Sequence, residues 1–405
     1  LYRDRSIVEV CAKLDLALPA RSPTRSPTRS PAPSGLTVSC GAIPPARNRV
    51  GPEPLEWLFG RTASEWAAAS AERHRWRGLA LYAIDGTTMR VPDTPENRAH
   101  FGSATAGGER GESGYPLLRS VALMALRSHL IEAVRFGPYT KSEYAYALEL
   151  LSTVPAESLT ILDRNFLSAE VLIGLREGGL REGKEDRHWL VRAKSTTRWK
   201  EVEKLAEGEW IVDLGVSREA RKANPALPKT HRARAIAYQR EGHKPQLLLT
   251  SLLDAERYPA TEIIALYHER WEIELGYDEL KTELLESEVT LRSKSVRAVE
   301  QEVWGLLLAY NLVRLEMERV AEEAKVDPTR ISFVASLRLI RDEWLWCAVA
   351  SPGAIPRHLR RLRQDLKYFI LPERRSHRSY PRAVKVKMSS YPRKRPQPPK
   401  TDELN

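Results

Sequence analysis

"YHERWEIELGYDELK", residues 267–281, sets a tyrosine, an arginine, a glutamate and a lysine at regular steps. Glu, Leu, Lys and Arg favour helix and no proline interrupts them, so the stretch reads as one α-helix. At about 100° per residue, with Tyr267 at 0°, Arg270 falls near 300°, Glu274 near 340° and Lys281 near 320°. One arc of roughly 60° then carries a carboxylate flanked by two cations and a phenol. The bland reading is a solvated face with an Arg270–Glu274 pair at i,i+4. The sharper one is a site where a carboxylate holds a metal while the cations receive an anionic polymer. The rest of the chain has to decide between them.

At 405 residues, with 42% hydrophobic and 29% charged residues, the composition is that of a soluble globular protein of two or three domains. No apolar run approaches membrane-spanning length, and the start, "LYRDRSIVEV", has no signal-peptide core. Cys11, Cys40 and Cys347 lie far apart with no C-x-x-C spacing, so a reducing cytoplasm is expected and structural disulfides are not. The net charge of +11 is carried entirely by residues 351–405, where 15 Lys/Arg face 4 Asp/Glu. With aromatics interspersed, as in "RSYPRAVKVKMSSYPRKRP", that tail reads as a phosphate-binding arm, and nucleic acid becomes the leading partner.

"RSPTRSPTRSPAPS", residues 21–34, is low-complexity and expected to be disordered. "PEPLEWLFGRTASEWAAASAERHRW" reads as one or two helices. An α/β pattern follows. "GLALYAID" is a buried strand ending in an acid, "LLRSVALMALRSHLIEAVRFGPY" a pair of strands, and "SEYAYALELLSTV" a helix. "SLTILDRNF" is a second buried strand ending in an acid, then "SAEVLIGLREGG" a helix and "RHWLVRAKS" a strand. "EWIVDLGV" and "RARAIAYQREGHKPQLLLTSLLD" form a β-rich insertion, and "VEQEVWGLLLAYNLVRLEMERVAEEA" a long covering helix. "GGLREGKE", residues 178–185, has phosphate-loop spacing but places Glu185 where a Ser or Thr must hold magnesium, so it is set aside.

Ligands in open α/β sheets bind beyond the carboxyl ends of strands, which makes Asp85 and Asp163 well placed for chemistry. Oxygen donors suit Mg²⁺ or Mn²⁺, and two such ions can activate an attacking oxygen and steady the leaving one at phosphorus. Two aspartates are too few ligands for that, and Glu274 is the natural third. Local roles compete: Asp85 precedes Gly86 and suits a turn, and Asp163 can pair with Arg164.

These residues resemble the DDE transposases of bacterial insertion sequences, in the insertion sequence 4 branch. That branch is marked by Y-(2)-R-(3)-E-(6)-K, and Tyr267, Arg270, Glu274 and Lys281 match every spacing. Ordinary residue frequencies give such a match roughly once in 10^5 starting positions. "IDGTTMRVPDTPEN" resembles the first aspartate segment of the family, "LDRNF" the second, and "YPRAVKVKMSSYPRKRP" its usual end. The resemblance spans about residues 50–395, and "GAIPPARNRVGPEPLEWLF" is similar to the end of the family's N-terminal domain.

The resemblance implies an α/β, ribonuclease H-like catalytic core over residues 79–320, interrupted by the β-rich insertion at about 195–258. Residues 1–78 would form an N-terminal region that contacts DNA ends, and 321–405 a helical region with the basic tail. It implies that Asp85, Asp163 and Glu274 hold Mg²⁺ or Mn²⁺, and that Tyr267, Arg270 and Lys281 grip phosphate of double-stranded DNA. Trp271 reads as core packing rather than base stacking. Asp93 and Asp278 are the reserve carboxylates, Asp278 lying near 20° on the same helix face. The expected activity is cut-and-paste DNA transposition at terminal inverted repeats, by a homodimer on paired ends in the bacterial cytoplasm, on the nucleoid. A nuclease without strand transfer, or an inactive DNA-binding remnant of an element, are the alternatives.

Overall fold

The computed structural model describes residues 40–104, 114–180, 187–239, 244–285 and 290–373, with Tyr2, Glu9 and Val10 besides. The Ser-Pro repeat, most of the 178–185 segment and the tail from residue 374 lie outside the described residues.

Five strands build the centre: β1 Ala80–Arg90, β2 Leu117–Ala125, β3 Ile131–Pro138, β4 Ser158–Leu162 and β5 Arg187–Arg192. β1 to β3 form an antiparallel meander, whereas β4 lies parallel to β1 and β5 parallel to β4. Their order, β3-β2-β1-β4-β5, with one antiparallel flank and helical crossovers, is the ribonuclease H-like core. Four further strands, β6 Trp199–Ala206, β7 Glu209–Gly215, β8 Thr230–Tyr238 and β9 Gln246–Thr250, continue this same sheet through β9, which pairs antiparallel to β5. The β-rich segment thus extends the core sheet into one of nine strands.

Side chains alternate across a strand, and the sequence exploits this on both faces. Leu81 and Ala83 join one apolar cluster; Tyr82 and Ile84 join the other. Besides the shorter helices Ile43–Val50, Pro95–Phe101 and Arg218–Ala223, the helices are α1 Glu53–Arg73, α2 Glu143–Leu150, α3 Ala169–Leu180, α4 Ala260–Glu269, α5 Trp271–Asp278, α6 Val296–Ala324, α7 Phe333–Val349 and α8 Ile355–Leu366. α4, α5 and α6 cover the Leu81 face; α2 and α3 cover the Tyr82 face. Among the described residues no helix is long and apolar enough to cross a membrane.

The stretch 267–281 is not one regular α-helix, and this corrects the sequence reading. α4 ends at Glu269, Arg270 forms the joint to α5, and residues Glu279–Leu284 widen into a π-turn. The cause is long-range. The Glu279 carboxylate is drawn to Arg314 and to the Tyr310 hydroxyl (3.0 Å) on α6, and to His129 Nδ1 (3.5 Å) from the β2–β3 turn. Burial alone would raise its pKa, but Arg314 and His129 override that and hold it down at about 2. Past Glu279 the step is no longer that of an α-helix, so the angular position expected for Lys281 does not apply.

Candidate active site

Sheet register brings the two aspartates together. Parallel pairing of β1 with β4 ends at Ile84↔Leu162, so Asp85 and Asp163 come next on adjacent strands. Asp163 follows the end of β4 and caps the turn Arg164–Phe166. Asp85 does not end its strand, as the sequence suggested. β1 continues to Arg90 because β2 keeps pairing with it, Asp85 opposite Ala122.

By strand parity Asp85 shares the face of Leu81 and Ala83, on which α4 and α5 lie. The Tyr277 hydroxyl donates to the Asp85 carbonyl at 2.6 Å and pins α5 to β1 at this point. About two turns back, Arg270 Nη2 donates to Glu274 Oε1 at 2.7 Å, and Arg270 Nη1 stands 3.6 Å from Asp85 Oδ2. A single buried guanidinium therefore joins the strand carboxylate to the helix carboxylate.

The electrostatics describe a site crowded with negative charge. Burial pushes Asp85 up to about 7, with Glu143 and Asp163 acting in the same direction against the Gly86 N–H and Arg270. Tyr267 is buried, which raises its hydroxyl to about 12, while Arg270 and Arg192 oppose and Asp163 adds to the rise. Tyr267, Arg270, Asp85, Asp163 and Glu274 are thus gathered at one place. Lys281 is half-buried in the π-turn, where burial lowers its amine and Asp278 is the charge that bears on it.

Asp278 is exposed at the end of α5, and Asp93 is held by Arg98 at 2.6–2.8 Å. Trp271 corrects another expectation. It is 43% exposed rather than packed in the core, with the Arg270 guanidinium 5.2 Å from its ring centre. Glu143, at the start of α2, went unnoticed in the sequence, because an acid after the N-cap Ser142 looks like ordinary helix capping.

Among the described residues no three Asp, Glu, His or Cys side chains are drawn close enough together to hold a metal ion. The positive charge at the centre is Arg270, shared by Asp85 and Glu274. The donors are nonetheless all carboxylates, the chemistry that a hard divalent cation takes. Such a cation would compete with Arg270 for the same oxygens.

A model of the transposase DDE domain family matches residues 76–312. The transposase InsG for insertion sequence element IS4 of Escherichia coli (strain K12) is 38% identical over 393 residues, 97% of this chain and 84% of that protein. InsZ of the same strain is 34% identical over 218 residues, 54% of this chain and 68% of its own length. Among solved structures, a piggyBac transposase synaptic complex with hairpin DNA aligns over 74% of this chain and 59% of that one, with a TM-score of 0.37 and 14% identity.

Proposed function

The chain belongs to the DDE transposases, and we propose that it cuts DNA at the ends of an insertion sequence and joins the freed 3′ hydroxyl to target DNA. The observation that carries this reading is the convergence of Asp85 and Glu274 on one guanidinium, with Asp163 on the neighbouring strand. The family uses divalent metal ions, and Asp85, Asp163 and Glu274 are the residues that would hold Mg²⁺ or Mn²⁺ here. When bound, such ions activate the attacking oxygen and neutralise the leaving one.

The chain's own residues do the positioning. The Tyr277–Asp85 hydrogen bond and the β1–β4 register fix the two aspartates against α5. Asp85 and Glu274 would hold the cation in place of Arg270, and the Arg270 guanidinium would then bind a DNA phosphate beside Tyr267, with Lys281 gripping further along the strand. Double-stranded DNA is the partner, both as element end and as target, and paired ends call for a homodimer working in the bacterial cytoplasm. Residues 79–320 are taken as the catalytic domain, 1–78 as an N-terminal region that contacts DNA ends, and 321–405 as a helical region whose basic tail holds DNA.

The test separates transposition from simple nuclease action. A duplex ending in the element's inverted repeat with an exposed 3′ hydroxyl is incubated with supercoiled plasmid. Joined products are expected with Mg²⁺ or Mn²⁺ and none with chelator. Nicking without joining would assign a nuclease, and robust cleavage in excess chelator would overturn the metal-dependent reading.

A further inference from the structure

Helix α5 and the residue after it carry acids on two faces. Glu274 meets Arg270 on the face toward Asp85. Glu272 and Glu279, the latter still in helical backbone geometry, lie about 140–160° round the axis from Glu274. That second face meets a buried polar cluster. His129, from the β2–β3 turn, sets Nε2 2.9 Å from Glu272 Oε2 and Nδ1 beside Arg314 and Glu279. Tyr310 and Arg314 of α6 donate to the Glu279 carboxylate. One imidazole thus bridges the two ends of α5, and the π-turn Glu279–Leu284 begins at its second contact.

Stability does not account for this cluster. His129 is 1% exposed and holds a left-handed backbone, φ 61°, that side chains rarely adopt. Arg314 is equally buried, and its Nε and Nη1 find no hydrogen-bond partner among the described residues. A buried ion pair seldom stabilises a fold more than apolar groups of the same size would. A π-turn is itself rare and concentrates at functional sites. The cation that this π-turn carries is Lys281. It is half-buried, and among the described residues no side-chain hydrogen bond or ion pair holds it, Asp278 being the charge that bears on it. A cation partly withdrawn from water and left unpaired raises the free energy of the fold until an anion meets it.

We propose that His129, Tyr310 and Arg314 are positioning residues for DNA capture: through Glu279 they set the π-turn, and the π-turn fixes Lys281 where it meets a backbone phosphate of the element end. The cluster works from behind the helix and touches no DNA itself. This rests on the phosphate role given to Lys281 above.

The experiment measures binding of a duplex ending in the element's inverted repeat to the full-length protein, by fluorescence anisotropy in excess chelator, so that capture is read without cleavage. Wild type, Lys281→Ala, the paired replacement Glu279→Leu/Arg314→Met and the triple variant are compared, with thermal melts confirming folding. The paired replacement removes both charges together and leaves neither buried alone. Should it fail to fold, Glu279→Gln, which keeps the size and an acceptor for Tyr310, takes its place in the same comparison. Lys281→Ala should weaken end binding about 10–100-fold. The paired replacement should weaken it by at least about 5-fold, and the triple variant should bind no worse than Lys281→Ala, because the cluster acts through that lysine. End binding like wild type in the paired replacement, or a loss that adds in full to that of Lys281→Ala, would make the cluster purely structural and overturn the proposal. If Lys281→Ala itself binds as wild type, the phosphate role of Lys281 is wrong and the proposal falls with it.

Discussion

A carboxylate and a guanidinium at one buried point govern how the centre responds to protons. Asp85, pushed up to about 7 from an ordinary 3.8, keeps its proton in the folded chain at pH values where the unfolded chain has lost it. Its contribution to stability is therefore full below the unfolded value and drains away as pH rises to about 7. Glu132, raised to about 7 by burial against the opposing Tyr82 hydroxyl, acts in the same direction. The metal-free Asp85→Asn protein should accordingly lose less melting temperature than wild type between about pH 5 and pH 8. Equal losses in both would show that Asp85 ionises normally. At this scale the acids Asp85 and Asp163 after apolar runs and the i,i+4 spacing of Arg270 and Glu274 were legible, because these are local patterns; that β1 and β4 pair side by side was not. Glu143 was not legible. Its contact with Gly86 crosses the sheet, and nothing in the order of residues marks which capping glutamate will meet a strand.

Elements were readable to the extent that their own composition decides them. β1, β2, β4 and β5 are apolar on both faces, as strands covered by helices on each side must be. β6, "WKEVEKLA", escaped the reading because it is the last strand of the sheet, mostly exposed and charged at four of eight positions. The break at Arg270 and the π-turn after Asp278 are likewise invisible in propensities, since α6 and the β2–β3 turn impose the π-turn from a distance. Glu279 is the clamp. Glu279→Ala leaves Arg314 buried without its carboxylate, and breaking such a pair costs about 3–5 kcal/mol. Denaturant unfolding should show a clear drop in midpoint for Glu279→Ala, and a change within about 0.5 kcal/mol for the exposed Asp278→Ala. Matching midpoints in the two variants would remove the clamp from the account.

Across the whole molecule, the excess of positive charge is concentrated at the C-terminal end of the sequence. The basic excess begins at residue 351, but Leu362 and Leu366 of α8 are buried in the core, so a truncation that tests the charge should leave that helix in place and begin after residue 373. Residues 374–405 still hold 10 Lys/Arg against 2 Asp/Glu. Deleting them should weaken binding to any DNA and flatten the salt dependence of log K by about 0.9 for each phosphate that the tail had neutralised. An unchanged slope would make the tail a bystander. The central claim, that Asp85, Asp163 and Glu274 form a metal-holding triad for strand cleavage, is tested most directly in the full-length protein by Glu274→Gln, with binding of an end duplex and its cleavage measured side by side in Mg²⁺. The substitution is nearly isosteric and removes only the charge that a hard cation needs. The account predicts end binding within about threefold of wild type and cleavage lower by at least about 10^3; cleavage at the wild-type rate would contradict it.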